Sequence, residues 1–349
     1  MKTQGAESAN KTGVQCFSAS VHAVVAVTDK RWSDFLSAQP RLTEANFWTP
    51  SSIGFRALTT GEPMLFQTHA PHNRLVGGGF LSGFVTLRVS EAWHFFAEGN
   101  GRATEAQVLE DVNGYRKGQG KPWDQDPMIG CILLRNLFFA PSGTGLPAPP
   151  EFSRGGILRY KRYDLAEPAN DHISSAFEQL RTTARPDLVW PDDLQLEVAG
   201  PVLGTARLTT PRVGQSALKA LVLGAYQRHC AITGSRIEPV LEAAHIRPVK
   251  DGGIHRVDNG MLLRSDVHKL FDDGYLGVDD RFRLRVSPRL NSEFGNGVEF
   301  YERERVGHTI SMPSYRKLRP EREALTWHMD TVFKSARTEG RRSFGGAPR

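Results

Sequence analysis

Apolar and polar positions follow two rhythms along this chain. Val21 to Val27, Met64 to Thr68 and Ile129 to Phe139 are short runs of branched or aromatic residues that predict buried strands. Trp32 to Leu36, Ser90 to Glu98 and Glu105 to Arg116 carry apolar residues at helical spacing, with Ser90 placed to cap the second of them. Gly77, Gly78 and Gly79 interrupt an apolar stretch and imply a bulge or a close approach to the backbone. Tyr160 to Leu165 then closes a strand-rich α+β domain spanning residues 20–165, after a polar lead of residues 1–19 that reads as disordered.

A connecting region follows at 166–210. It contains a helix from Asp171 to Thr183, a proline-rich stretch and a strand from Leu194 to Val202. Gln215 to Gln227 returns to helical spacing and opens a second domain at 211–335, with a basic tail at 336–349. Within that domain Val240 to Ile246 predicts a strand that Pro248 stops, Asp251-Gly252-Gly253 a turn, and Met261 to Leu263 a second strand. Ser265 is placed to cap a helix carrying Val267, His268, Leu270 and Phe271, which Gly274 ends. The expected unit is a hairpin followed by a helix, closed by a hairpin about Asp279-Asp280 and a helix from Pro320 to Phe333.

The chemistry-bearing residues of this stretch come in a particular order. His245 ends the first strand, Asn259 follows Asp258 in the turn, and His268 sits in the first turns of the helix. A histidine closing an apolar strand is, taken alone, a core residue; the ordered set of His, Asn and His with intervening glycines is what points elsewhere. A strand end and a following helix can meet over one cleft, and a neutral imidazole there suits a general base at physiological pH. His268 suits a metal ligand, and Asp272 lies four residues on, on the same helical face. Asn259 is suited to tying the loop to the strand through bonds to backbone and so aiming His245. Arg247, Lys250, Arg264 and Lys269 surround this set and suit phosphate contacts. His255 and His229 lack such company and read as loop or surface residues.

Together these residues resemble the HNH endonucleases of the ββα-metal class, in particular a bacterial restriction endonuclease family with AAHI, DNG, LL, H and FD-x-G in succession. The likeness runs from about Arg212 to Leu290 and includes Arg212-Val213-Gly214-Gln215 and Cys230-Ala231-Ile232-Thr233-Gly234. It implies His245 as general base, Asn259 as the structural asparagine and His268 as a metal ligand. Many such proteins place Asp or His directly before the first motif histidine, whereas this chain has Ala244. Asp272 is the first candidate for the missing ligand and Glu242 the second. Magnesium or manganese, one ion per site, suits such a donor set better than zinc.

Composition narrows the rest. The 349 residues suffice for two domains with separate cores, and no apolar run has the length of a membrane span. Three separated cysteines fit a reducing cytoplasm and exclude paired zinc knuckles, so no structural zinc is expected. Residues 281–349 hold 15 Lys and Arg against 8 Asp and Glu, while the preceding 280 hold 29 against 30. The basic excess thus flanks the nuclease-like unit, where double-stranded DNA would bind.

The first domain has its own likeness. KRWSDFL, NFWTPS and GEPMLFQTHAPHNRLVGGGF in this order resemble the PUA-like superfamily, and within it EVE-type modules, small curved barrels that read flipped or modified bases. That likeness implies a pocket near Trp48, Ser51, Phe66, Thr68 and His69, with Trp48 available for stacking; the alternative is that Trp48 and Phe66 are barrel core. The combined expectation is a metal-dependent DNA endonuclease of restriction type, gated by 5-methyl- or 5-hydroxymethylcytosine and acting as a homodimer, since one ligand cluster serves one strand. Two alternatives stay open: a binding module with a degenerate HNH unit, and a nuclease whose first domain binds RNA or protein.

Overall fold

The computed structural model describes residues 22–39, 41–52, 54–141, 143–153, 159–184, 215–295 and 307–335. The polar lead, the strand expected over 194–202, Arg212-Val213-Gly214 and the basic tail lie outside them. The fold class is α+β.

The first half runs β1 (His22–Thr28), α1 (Lys30–Ser37), β2 (Glu44–Thr49), β3 (Pro63–Thr68), β4 (Arg74–Arg88), α2 (Val89–Phe96), α3 (Glu105–Gly118), β5 (Met128–Phe139), β6 (Leu146–Pro147), α4 (Pro150–Ser153), β7 (Tyr160–Asp164) and α5 (Asp171–Ala184). The strands order as β2-β5-β4-β3-β1-β7, with β6 on β4. Among the described strands only β1 and β3 pair in parallel. Because successive strand residues face opposite sides, Val24 and Met64 join α1's Trp32 and Leu36 in one core, while Val25 and Leu65 join Phe80 and Phe138 in another.

That second core corrects the assignment of residues 171–183 to a connecting region. Helix α5 buries Ile173, Phe177 and Leu180 there, and Phe177 meets the rings of Phe80 and Phe138 edge-on. The helix belongs to the first domain's core. The three glycines serve both expected purposes: register shifts between Gly78 and Phe80, and a Cβ on Gly77 would lie 2.3 Å from the Phe138 carbonyl oxygen. Ser90 is not a cap; Arg88 occupies that position, and Ser90 hydrogen-bonds Asp126 instead.

The second half contains α6 (Gln215–Ala225), β8 (Leu241–His245), β9 (Gly260–Arg264), α7 (Ser265–Asp272), β10 (Leu276–Val278), β11 (Leu284–Val286), α8 (Pro288–Phe294) and α9 (Arg322–Thr331). Its core is not separate from the first. Val85, Leu87, Val108 and Cys131 of the first half share one buried cluster with Leu218, Val222, Ala244, Met261 and Leu325.

Helix α6 makes the joint. A Cβ on Gly224 would come within 2.7 Å of a Val85 methyl, so the helix can approach β4 only because that residue is glycine. The Glu44 carboxylate accepts from the backbone N–H groups of Ser216 and Ala217 at 3.2 Å, which satisfies orphan donors at the helix start. Arg228 just beyond the helix binds Glu91 of α2 through three contacts of 3.1, 2.7 and 2.5 Å. The burial at this joint makes the two halves one packed body.

Candidate active site

Strands β8 and β9 pair antiparallel, His245 opposite Gly260, and β9 runs directly into α7. Ser265 is the first residue of that helix rather than its cap, a position held by Arg264. Gly274, at φ +75°, ends it as expected.

Asn259 is 2% exposed and uses its whole side chain. Its Oδ1 accepts from Arg247 N at 3.0 Å, and its Nδ2 donates to the carbonyls of Arg247 and Ile254, both at 2.9 Å. The loop leaving β8 is thereby tied to the residue preceding β9. His245 stands two residues before this anchor.

His245 is half-buried at the strand end, and its Nε2 lies 3.2 Å from Nδ1 of His255. Its pKa is pushed below the ordinary imidazole value, first by burial and then by the nearby His255 and His268. Helix α7 is held against β8, the strand that ends at His245, by a contact from His268 to Glu242. His268 carries a carboxylate on each nitrogen: Glu242 Oε2 at 2.6 Å from Nδ1 and Asp272 Oδ2 at 3.3 Å from Nε2. Asp272 is raised above the usual carboxylate range, mainly by burial.

Ala244 is 1% exposed and packs into the shared core, so the position before His245 is used for packing. Among the described residues no three His, Cys, Asp or Glu side chains stand in a metal-holding cluster. What the hairpin and helix offer is an imidazole nitrogen with Asp272 beside it, and Glu242 on the ring's other nitrogen in the place where second carboxylates orient metal-bound histidines. Such a pair fits a hard cation that keeps several positions for water and phosphate oxygen.

The cationic residues are placed less uniformly. Arg247 donates to the Asp251 carbonyl and lies over the Trp327 ring at 5.2 Å, and Lys250 is exposed on the adjoining turn. Arg264 is engaged by Asp266 through two bonds of 2.6 and 2.7 Å, and Lys269 by Asp273 at 3.4 Å. His255 is a loop residue as expected, and its ring faces that of His245. Its sequence signal was its place after Gly252-Gly253, where the turn folds the chain back along the strand.

In the first half a cavity of about 360 Å³ is lined by residues of β1 to β5 and β7, within the range of roughly 300–1,000 Å³ usual for ligand sites. Phe47, Trp48 and Thr49 of β2 line one side, and Ala26 to Thr28 of β1 with Tyr160 of β7 the other. Since β2 and β7 terminate the strand order, the sheet must curl to bring these residues together. Trp48 anchors its indole N–H on the Asn100 carbonyl at 3.1 Å and meets Tyr115 edge-on. Tyr160 meets Phe55 in the same way across the mouth. Asp29 caps α1 and receives Arg102 at 2.5 Å. Burial, then Asp29 and Asp111, raise the Tyr115 pKa.

Of the five residues expected at this pocket, Trp48 and His69 line it. Phe66 does not: it is fully buried among Trp32, Phe47 and Phe139. Thr68 is also buried, its hydroxyl accepting from Arg74 N to hold the turn between β3 and β4. Ser51 contributes its carbonyl, which accepts from Gly130 N, to the strand edge. Phe55 in a loop, Tyr115 on α3 and Tyr160 at the start of β7 were missed because single aromatics so placed carry no periodic signal.

Comparison with known proteins places a class on the second half. Residues 230–279 match the family model described as HNH endonuclease, so the chain carries an HNH endonuclease domain there. Among solved structures it is similar to a modification-dependent TagI restriction endonuclease, 21% identical over 36% of this chain and 40% of that one, TM-score 0.25. It thus spans 40% of the length of that enzyme. It is also similar to a variant of the ASCH protein of Zymomonas mobilis, 9% identical over 44% of this chain and 94% of that one, TM-score 0.30. The ASCH protein itself matches at 11% identity over 38% and 91%, TM-score 0.24. No curated protein matches the chain. No helix among the described residues is long and apolar enough to cross a membrane.

Proposed function

We propose that this protein is a divalent-metal-dependent DNA endonuclease whose first half reads a modified cytosine. The observation that carries the nuclease reading is that His268 of α7 bonds Glu242 of β8, the strand that ends at His245, with the loop beyond His245 pinned by Asn259. Hydrolysis forms a bond from a water oxygen to phosphorus and breaks one from phosphorus to a sugar oxygen. The proton lost by water passes to His245, and the leaving oxygen takes one from solvent. Burial keeps His245 neutral and ready to accept. His268 and Asp272 would hold the ion, with Glu242 orienting the His268 ring. Magnesium or manganese, when bound, would neutralise charge on the phosphate and leaving oxygen.

Duplex DNA is the fitting partner, with Arg247 and Lys250 on the loop after His245 for phosphates. One site per chain cuts one strand, so cleavage of a duplex calls for two copies acting together. In the first half, aromatic walls from Trp48, Phe47, Phe55 and Tyr160 around a cavity of about 360 Å³ suit a planar base turned out of the stack.

Plasmids carrying cytosine, 5-methylcytosine or 5-hydroxymethylcytosine, incubated with the protein and magnesium or manganese, test both halves of the reading. Cleavage confined to a modified plasmid and lost in His245→Ala is the expected result. Equal cutting of all three removes the modified-base reading, and cutting by His245→Ala removes the assigned base.

A further inference from the structure

We propose that His255 is a positioning residue for the reaction, the group that fixes which nitrogen of His245 takes the proton. The inference rests on His245 being the base, as argued above. The two rings approach through His245 Nε2 and His255 Nδ1 at 3.2 Å, with ring planes 72° apart and centroids 5.1 Å apart. Two neutral imidazoles facing through one nitrogen each share a single proton between those nitrogens.

Only one of the two arrangements leaves a working base. If His255 Nδ1–H donates, Nε2 of His245 is occupied as acceptor and its Nδ1 carries the remaining proton, so neither nitrogen can accept from water. If His245 Nε2–H donates to His255 Nδ1, the lone pair stands free on His245 Nδ1. Catalysis by His245 therefore requires the second arrangement, with Nδ1 the reacting atom. The proton taken from water goes to Nδ1, and the imidazolium that forms keeps its Nε2–H on His255, which spreads the new charge. This is the logic by which a third group orients the base of a nucleophile–base pair.

The loop is built to keep His255 there. Asn259 Nδ2 donates to the carbonyl of Ile254, the residue before His255, at 2.9 Å. Gly253 lets the turn fold back, since a Cβ there would fall 1.8 Å from the Arg247 carbonyl oxygen. The groups that bear on His245 by charge are His255 and His268.

The test uses the full chain on the plasmid it cuts best. His255→Ala is expected to lower kcat about 10- to 100-fold with KM unchanged and to change the acid limb of the kcat profile. His255→Asn, whose side chain can still accept from Nε2–H, is expected to recover most of the rate. Nitrogen-15 spectra of the imidazoles, read without substrate, are expected to show His245 as the Nε2-protonated tautomer, mixed in His255→Ala. Loss of cleavage in His245→Ala with wild-type kcat and tautomer in His255→Ala overturns the proposal alone. Full cleavage by His245→Ala overturns the reading beneath it. Should His255→Ala not fold, a wild-type His245 protonated on Nδ1 overturns the proposal by itself.

Discussion

Replacing Asn259 separates a hydrogen-bonding role from a merely steric one. The side chain is 2% exposed and makes three bonds, one accepted and two donated, all to backbone of the loop between β8 and β9. At roughly 1 kcal/mol net per bond, Asn259→Ala should cost about 3 kcal/mol, or on the order of 4 °C in Tm for a chain of this length. Asn259→Asp discriminates further because it is nearly isosteric. Its carboxylate can still accept from Arg247 N, but it sets a negative oxygen at 2.9 Å against the carbonyls of Arg247 and Ile254. The aspartate variant should therefore be at least as damaged as alanine, despite filling the same space. Thermal unfolding gives the ranking, and hydrogen exchange at the Arg247 amide shows whether the loop has opened. An aspartate variant melting within a degree of wild type, with that amide still protected, would refute the reasoning.

Other consequences follow from single contacts. His328 is buried against Phe271, donates to its carbonyl at 3.0 Å and has its pKa pushed down to about 4 by burial. The unfolded chain protonates this group near pH 6.5, so its contribution is intact above that pH and is lost as pH falls through about 6.5 towards 4, by about 3 kcal/mol. His328→Phe should flatten that part of the stability profile in denaturant titrations; an unchanged slope contradicts the assignment. Because the His245 pKa is lowered, cleavage should stay level as pH falls from 7.5 past the ordinary imidazole value, and an acid limb centred above 7 would contradict it. Gly224→Ala should cost about 1–3 kcal/mol by forcing α6 off Val85, measured by unfolding. Tyr115→Ala at the cavity rim should weaken binding of modified DNA roughly 10-fold or more while sparing the fold; equal affinity would show that this ring takes no part.

How much of this was legible in the residues varies with the kind of signal. The hairpin and helix of the second half were readable because Pro248, the paired glycines and Gly274 punctuate them, and His245, Asn259 and His268 stand out against apolar neighbours. Thr68 was misplaced, and of the two readings open for Phe66 the core one holds, because a strand's period shows which residues share a face, not which face meets a helix and which a cavity; α1's Trp32 claims Phe66. Helix α5 was taken for a connection because its polar composition hides three residues, Ile173, Phe177 and Leu180, that alone decide its burial. The shared core was invisible for a similar reason. Gly224 and Glu44 are far apart in sequence, and only packing reveals that one permits and the other caps the same helix. His255 shows the limit most clearly, since a lone histidine in a loop acquires meaning only from the ring it faces.

The central claim is that His245 takes the proton from the attacking water, and single-turnover cleavage of modified duplex DNA by His245→Ala with magnesium tests it most directly. A loss of about 100- to 10,000-fold is predicted, with part of the rate restored by imidazole added to the buffer. A variant that cuts at the wild-type rate without imidazole would contradict the account.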